Sequence, residues 1–271
     1  MSHNLDEFER VNQTIWDQWT TYQTDSDHHA DVRRFLATGS SLRSIELSEM
    51  GDVHGKTLLH LLCNQGSDTL SWARQGAQVT GVDFSQVAIN RARELAEQSG
   101  LTARFICSPL ATLPNLLVEQ FDVVYASYGV LCWMPDLNQF AGLLRRFVRP
   151  GGTIYLLDMH PAVAALSVHM DEQRTYFLAD QPYFHRGEPI AEPVRIGPDG
   201  SAGATLSSWR YSLGEVVSAL VEEGLHLDFL HEFAYCHYQR LPQLIQDAAG
   251  WWRWPDPQAE MPLLFSAGAH G

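Results

Sequence analysis

TLLHLLCNQGSDTLSWARQGAQVTGVDF, residues 57–84, carries four textures in 28 positions. Residues 57–62 are a short apolar run with the length of a buried strand. CNQG, 63–66, is a tight turn in which Gly66 lets backbone approach closely. Residues 68–75 follow as a helix ended by Gly76. QVTGVD, 78–83, is a second strand that finishes on an acid, Asp83. Strand, turn, helix and strand in this order form a unit whose two strands run parallel.

The same alternation continues outward. Ser85 caps a helix whose Ile89, Ala92, Leu95 and Ala96 share a face, with Gly100 past its end. Residues 103–107 form a short third strand. FDVVYA, 121–126, is a continuous apolar strand of the kind buried on both faces. Asp136 caps the next helix, which bears Phe140, Leu143, Leu144 and Phe147. Pro150-Gly151-Gly152 turns the chain into a fifth strand, 153–158. Two late strands are expected at 225–233 and 262–269. Between them lies an aromatic loop with Trp251, Trp252 and Trp254. Ser212 and Glu215 have capping-box spacing ahead of a helix that stops near Gly224. The expected fold is α/β: a doubly wound, mostly parallel seven-stranded sheet with helices on both faces. Right-handed crossovers bring the strands' C-terminal ends to one rim, where ligands bind.

Two stretches depart from this pattern. Residues 1–45 read as a helical lid segment, with Leu5, Phe8, Val11, Ile15, Trp16 and Trp19 on one face. Residues 160–211, rich in Pro, Gly and aromatics, read as an insertion on the substrate side of a domain spanning 46–271.

Composition narrows the function. Eighteen Lys and Arg against 32 Asp and Glu give 18 − 32 = −14 over 271 residues. Such a surface repels nucleic acid and anionic membranes. No apolar stretch reaches the ~18 residues of a membrane span, and MSHNLDEFER lacks a signal pattern. Cys63, Cys107, Cys132 and Cys236 form no CxxC pair and read as free thiols of a cytoplasmic protein. The 12 histidines are scattered, and no metal site is expected.

The 63–66 turn directs backbone N–H groups at a ligand. Asp83, 17 residues beyond Gly66, is placed to accept both hydroxyls of a ribose. Phe84 follows and can cover a purine. The glycine fingerprint of dinucleotide sites is absent, so a nucleoside lacking a pyrophosphate is expected and a nicotinamide oxidoreductase is disfavoured.

With these motifs, residues 55–161 resemble the class I (Rossmann-like) S-adenosylmethionine-dependent methyltransferases, and specifically uncharacterised bacterial small-molecule members. HLLCNQGSDT sits at that family's first motif and GVDFSQVAINRAREL at its second. FDVVYASYGVLCWMPDL sits at its fourth, and LLRRFVRPGGTIYLLDMHP at the next strand. YSLGEVVSALVEEGL, LHEFAYCHY and GWWRWP extend the likeness into the tail. The resemblance implies S-adenosylmethionine (SAM) as cofactor. It places His60, where the family usually carries an acid, near the methionine end, with Asn64, Gln65 and Gly66 as the turn beneath it. Asp83 would hold the ribose, with Phe84 and Ser85 flanking the adenine. Pro109 stands where an acid usually meets the adenine amine, so Leu110 and Ala111 would serve through backbone. Ala126 and Ser127 would lie beside the donor methyl, and Tyr22 would close over the methionine portion.

Transfer from a sulfonium disperses charge, so alignment and exclusion of water matter more than strong electrostatic stabilisation. A base is needed only where the acceptor must lose a proton. His160 is the first candidate base or orienting group, with Tyr128 beside it as a catalytic candidate. Trp133, Tyr183, Phe184 and Tyr211 are expected to line the acceptor pocket. Trp16 and Trp19 read as a core-packing face, His231 as strand surface, and Trp251, Trp252 and Trp254 as pins for the last loop. The expected partner is a small, partly apolar acceptor methylated at O, N or S. The protein would be a monomer or homodimer with no nucleic-acid or membrane partner. The alternative is a non-catalytic or regulatory protein on the same fold, motivated by the missing acids at His60 and Pro109.

Overall fold

In the computed structural model, the described residues are 2–22, 30–170, 175–196, 202–256, 258 and 260–271. Three helices open the chain: α1 (Ser2–Tyr22), α2 (Ala30–Thr38) and α3 (Ser44–Met50). The expected boundary at residue 45 therefore falls inside α3. The alternating unit follows as β1 (Thr57–Leu61), α4 (Ser67–Arg74), β2 (Gln78–Asp83), α5 (Gln86–Ser99) and β3 (Arg104–Cys107). Next come β4 (Phe121–Ser127), α6 (Leu137–Phe147) and β5 (Val148–Met159). β5 starts earlier than the Pro-Gly-Gly turn suggests, because that turn is absorbed as an irregularity in its pairing with β4.

The insertion has regular structure that its composition hid. It holds a short helix α7 (Pro161–Ala164) and two antiparallel hairpins, β6 (Ser167–Met170) with β7 (Thr175–Leu178), and β8 (Ile190–Ile196) with β9 (Ala202–Ser208). The chain ends with α8 (Leu213–Glu222), β10 (His226–Phe233), the short strands β11 (Tyr235–Cys236), β12 (Ile245–Gln246) and β13 (Trp252–Arg253), and β14 (Leu264–His270).

The central sheet has seven strands in the order β10-β14-β5-β4-β1-β2-β3. β1 through β5 are parallel, while β14 runs antiparallel to both β5 and β10. Strand order reverses between β1 and β4, which makes the crevice beyond their C-terminal ends the natural ligand site. The interior strands are apolar on both faces: Leu58, Leu59, Leu61, Val124, Leu156 and Leu157 are all buried. Burying each such side chain stabilises the fold by about 2 kcal/mol.

Local chemistry sets the helix ends. Ser85 accepts the Ala88 N–H at the start of α5, and Gly100 closes that helix at φ 64°. Asp136 accepts the N–H groups of Asn138 and Gln139 at the start of α6. Ser212 and Glu215 form a full capping box on α8. α1 is tied to the insertion: the Asn12 side chain donates to the Ser207 carbonyl at 2.7 Å and accepts its N–H at 3.0 Å. Ile15 packs with Ile196 and Leu206 of the second hairpin. Among the described residues, no helix is long and apolar enough to cross a membrane, and no cluster of metal-ligating side chains is present.

Candidate active site

The turn between β1 and α4 is the most contorted backbone in the sheet. Leu62, Asn64 and Gly66 have φ of 53°, 48° and 75°. Non-glycine residues rarely adopt such values, and they cluster where a ligand approaches backbone. Gly66 is obligatory for a second reason: a Cβ there would stand 2.8 Å from the Phe105 ring and 2.9 Å from Ala92. Asp83 holds the turn. One carboxylate oxygen accepts the Asn64 N–H at 2.8 Å, and the other accepts the Ser85 N–H at 2.9 Å. An ionised carboxylate takes about four donors, so lone pairs remain for a diol. Burial pushes the Asp83 pKa up to about 6, against the lowering effect of these two bonds, and nearby Asp17 raises it further.

Two cavities open from this turn. The smaller, about 620 Å³, is walled by Phe84, Pro109, Leu110 and Ala111, with Glu9 and Gln13 of α1 also lining it. The larger, about 1050 Å³, takes in His60, Asn64, Gln65, Ser127 and Tyr128. Leu62, Trp133 and Trp209 line both. An elongated ligand with an apolar planar end and a polar end can therefore span the two. The Asn64 side-chain oxygen is buried without a partner among the described residues. A buried acceptor left unsatisfied is costly unless a ligand completes it. These features fit an adenosyl amino acid: apolar walls for the base and the strained turn with Asn64 for the polar end, while Asp83, 5% exposed, lines neither cavity and meets the site through the turn it holds.

The end of β4 is prepared in a different way. Tyr128 has φ 57° and Gly129 φ 96°. Asp158, at the end of β5, accepts the N–H groups of Gly129, Val130, Leu131 and Met159 at 2.7–2.9 Å. The Tyr128 hydroxyl donates to buried Glu46 of α3 at 2.7 Å, and burial with the Glu46 charge raises its pKa well above the ordinary range.

The methyltransferase-domain family profile matches residues 59–156, a little over a third of the chain. The chain is 27% identical over 194 residues to a malonyl-[acyl-carrier protein] O-methyltransferase of Pseudescherichia vulneris, covering 67% of this chain and 72% of that one. It is 33% identical over 106 residues to a ubiquinone biosynthesis O-methyltransferase of Idiomarina loihiensis, covering 39% of this chain and 43% of that relative. The fold is similar to that of the CcbJ methyltransferase from Streptomyces caelestis, with TM-score 0.59 and 16% identity over 96% of this chain and 98% of the other. Residues 59–156 carry a methyltransferase domain, and the chain has the class I SAM-dependent methyltransferase fold. SAM is the family's cofactor.

Against this methyltransferase frame, the expected site residues divide. His60, Asn64, Gln65, Ser127, Tyr128, Trp133, Tyr183 and Tyr211 all line the larger cavity, and Phe84, Leu110 and Ala111 line the smaller one. His60 is buried, sits edge-on to Tyr125, and meets the Thr69 hydroxyl at 2.8 Å through Nδ1. Burial lowers its pKa to about 3, so it is a neutral group where the resemblance leads to the expectation of an acid. The side chain of Tyr22 lies outside the described residues.

Other residues are engaged elsewhere. Ser85 spends its hydroxyl on the α5 cap and on Asp17 of α1. Ala126 is packed in the core. Phe184 is 55% exposed and lines neither cavity, because its segment turns the ring outward. His160, expected as a base or orienting group, stands at the N-cap of α7 instead of on a cavity wall. Its Nδ1 accepts the Ala162 N–H at the start of α7, and its Nε2 lies 2.8 Å from Glu232. Nδ1 is thus engaged, Nε2 makes no hydrogen bond among the described residues, and the ring lines neither cavity.

The sequence reading missed other residues. Trp16 and Trp19, read as core, line the larger cavity, and Trp16 meets Trp133 edge-on at 5.6 Å. Trp252 lines it too, while Trp254 pins its loop through the Met261 carbonyl. His237, Tyr238 and Arg240, on the loop after β11, form another part of the wall. His237 lies against Tyr128 with ring centroids 4.2 Å apart. The only signal for it was the HEFAYCHY stretch, whose two-residue strand is too short to show a period.

Proposed function

We propose that this methyltransferase transfers a methyl group from SAM to an O, N or S atom of a small, partly apolar molecule, in the cytoplasm, as a monomer or homodimer. The observation that carries the reading is the double cavity joined at Leu62, Trp133 and Trp209 over the Asp83-held turn. Bound SAM supplies an electrophilic methyl group whose transfer neutralises the sulfonium.

The chain's own residues do the rest. Asp83 fixes the sugar, and Phe84 with Leu110 encloses the base. α1 roofs the turn, donating from Gln13 to the Phe84 carbonyl at 2.6 Å. With the hairpin it carries, α1 acts as a lid that excludes water from the acceptor side. Ser127 and Tyr128, on the corner held by Asp158, set where the acceptor meets the methyl group. An aromatic wall from Trp16, Trp133, Trp209 and Tyr211 favours a compact acceptor over a nucleic-acid strand. O-methylation is the favoured chemistry by likeness to the named O-methyltransferases.

Thermal melting with SAM, its demethylated product S-adenosylhomocysteine (SAH) and NAD tests this reading. SAM and SAH are expected to raise the Tm and NAD to leave it unchanged. A rise with NAD alone would contradict the reading.

A further inference from the structure

The loop from His237 to Arg240 has a chemistry that methyl transfer alone does not require. In a chain of net charge −14, four arginines, Arg34, Arg43, Arg210 and Arg240, line the larger cavity. Four acids line it as well, but each already has partners. Asp158 takes four backbone N–H groups, and Glu192 faces Arg210 and the Ser208 hydroxyl. Asp31 faces Arg43 at 3.2 Å, and Asp68 accepts the Ser41 hydroxyl. Among the described residues, no carboxylate lies within ion-pair distance of Arg240. Arg240 is half-buried on the cavity wall, and its guanidinium keeps solvent contact, so it is open to an anion entering the cavity.

His237 supplies the second feature. Its Nδ1 is buried and has no partner among the described residues, and its ring leans on Tyr128 at the corner after β4. We propose that this loop is the acceptor-recognition element and that the acceptor carries a carboxylate. Arg240 binds that carboxylate, and His237 Nδ1 accepts a hydrogen bond from the acceptor's O–H or N–H. The inference rests on the methyltransferase reading and names the substrate class for the same cavity. Burial and the Arg43 charge keep the His237 imidazole neutral, with its pKa near 3, so the nitrogen is available as an acceptor at neutral pH. The aromatic walls set the acceptor's body, and the loop sets its two polar ends.

Titration calorimetry on the SAH-loaded protein tests this with matched probes: acetate, malonate, benzoate and 4-hydroxybenzoate, each against its neutral amide. At least one carboxylate is expected to bind about tenfold or more tightly than its amide, the effect of a charge-assisted contact. Arg240→Gln should remove that preference and leave SAH affinity unchanged. His237→Phe should weaken 4-hydroxybenzoate relative to benzoate. Equal binding of acids and amides across the panel overturns the proposal, as does an Arg240→Gln protein that keeps the preference. Loss of SAH affinity in Arg240→Gln would assign that arginine to the cofactor and also overturn it. Failure of SAH to bind the unaltered protein would instead strike the methyltransferase reading itself.

Discussion

The two halves of the crevice are built from different materials. On the β1–β2 side, backbone does the holding: a turn with three positive φ values, a glycine with no room for a Cβ, and one carboxylate bonded to two N–H groups. On the β4–β5 side and in the insertion, side chains do it: tryptophans from α1 and β9's end, tyrosines from loops, and the His237–Arg240 loop. A backbone-built site suits a ligand that never changes, because any side chain can vary around it. A side-chain wall on hairpins and short strands suits a ligand that differs between relatives.

Substitutions can set the halves against each other. Gly66→Ala should have the largest effect. The residue would be forced into left-handed backbone and against Phe105 and Ala92, so a loss of about 4 kcal/mol is expected by urea denaturation. A loss under about 1 kcal/mol would show that the cofactor-side turn tolerates rearrangement. Asp158→Ala comes next. It strands the N–H groups of the β4 corner and should destabilise by about 3 kcal/mol, while SAH still binds because the β1–β2 half is untouched.

The third test uses pH. Asp83 has its native pKa raised from 3.8 to about 6. A raised carboxylate contributes stability below its unfolded value, and that contribution is lost as pH rises through about 6. Cofactor binding has the opposite sign, because the ionised carboxylate is the better acceptor for the sugar. SAH affinity is therefore expected to weaken about tenfold between pH 7.5 and pH 5. A flat profile would separate Asp83 from the sugar. The smallest effect is expected from His160→Ala. It removes the α7 cap and the contact with Glu232, at about 1 kcal/mol, and leaves SAH affinity unchanged.

The same division explains what could be read from sequence. The β1–β2 half announces itself locally: Gly66, Gly76, Ser85 and Gly100 each mark a turn or cap within a few residues of the strand or helix they end. Asp83 follows from its place at a strand end. His160 has the same kind of address, at the end of β5, yet its ring turns to α7 and Glu232, because strand position says nothing about which way a loop side chain rotates. Phe184 was misplaced for the same reason. His237 and Arg240 were invisible because their loop is positioned by three two-residue strands with no period to detect. The two hairpins of the insertion were hidden by Pro193 and the small residues of β9, which mask alternation.

Calorimetric binding of SAH to the Asp83→Ala protein, with far-UV circular dichroism as the fold control, addresses the cofactor half most directly. The account predicts a native spectrum and an affinity lowered about a hundredfold or more, from loss of the sugar's acceptor together with loosening of the Asn64 turn. A folded Asp83→Ala protein that binds SAH as tightly as the unaltered chain would contradict it.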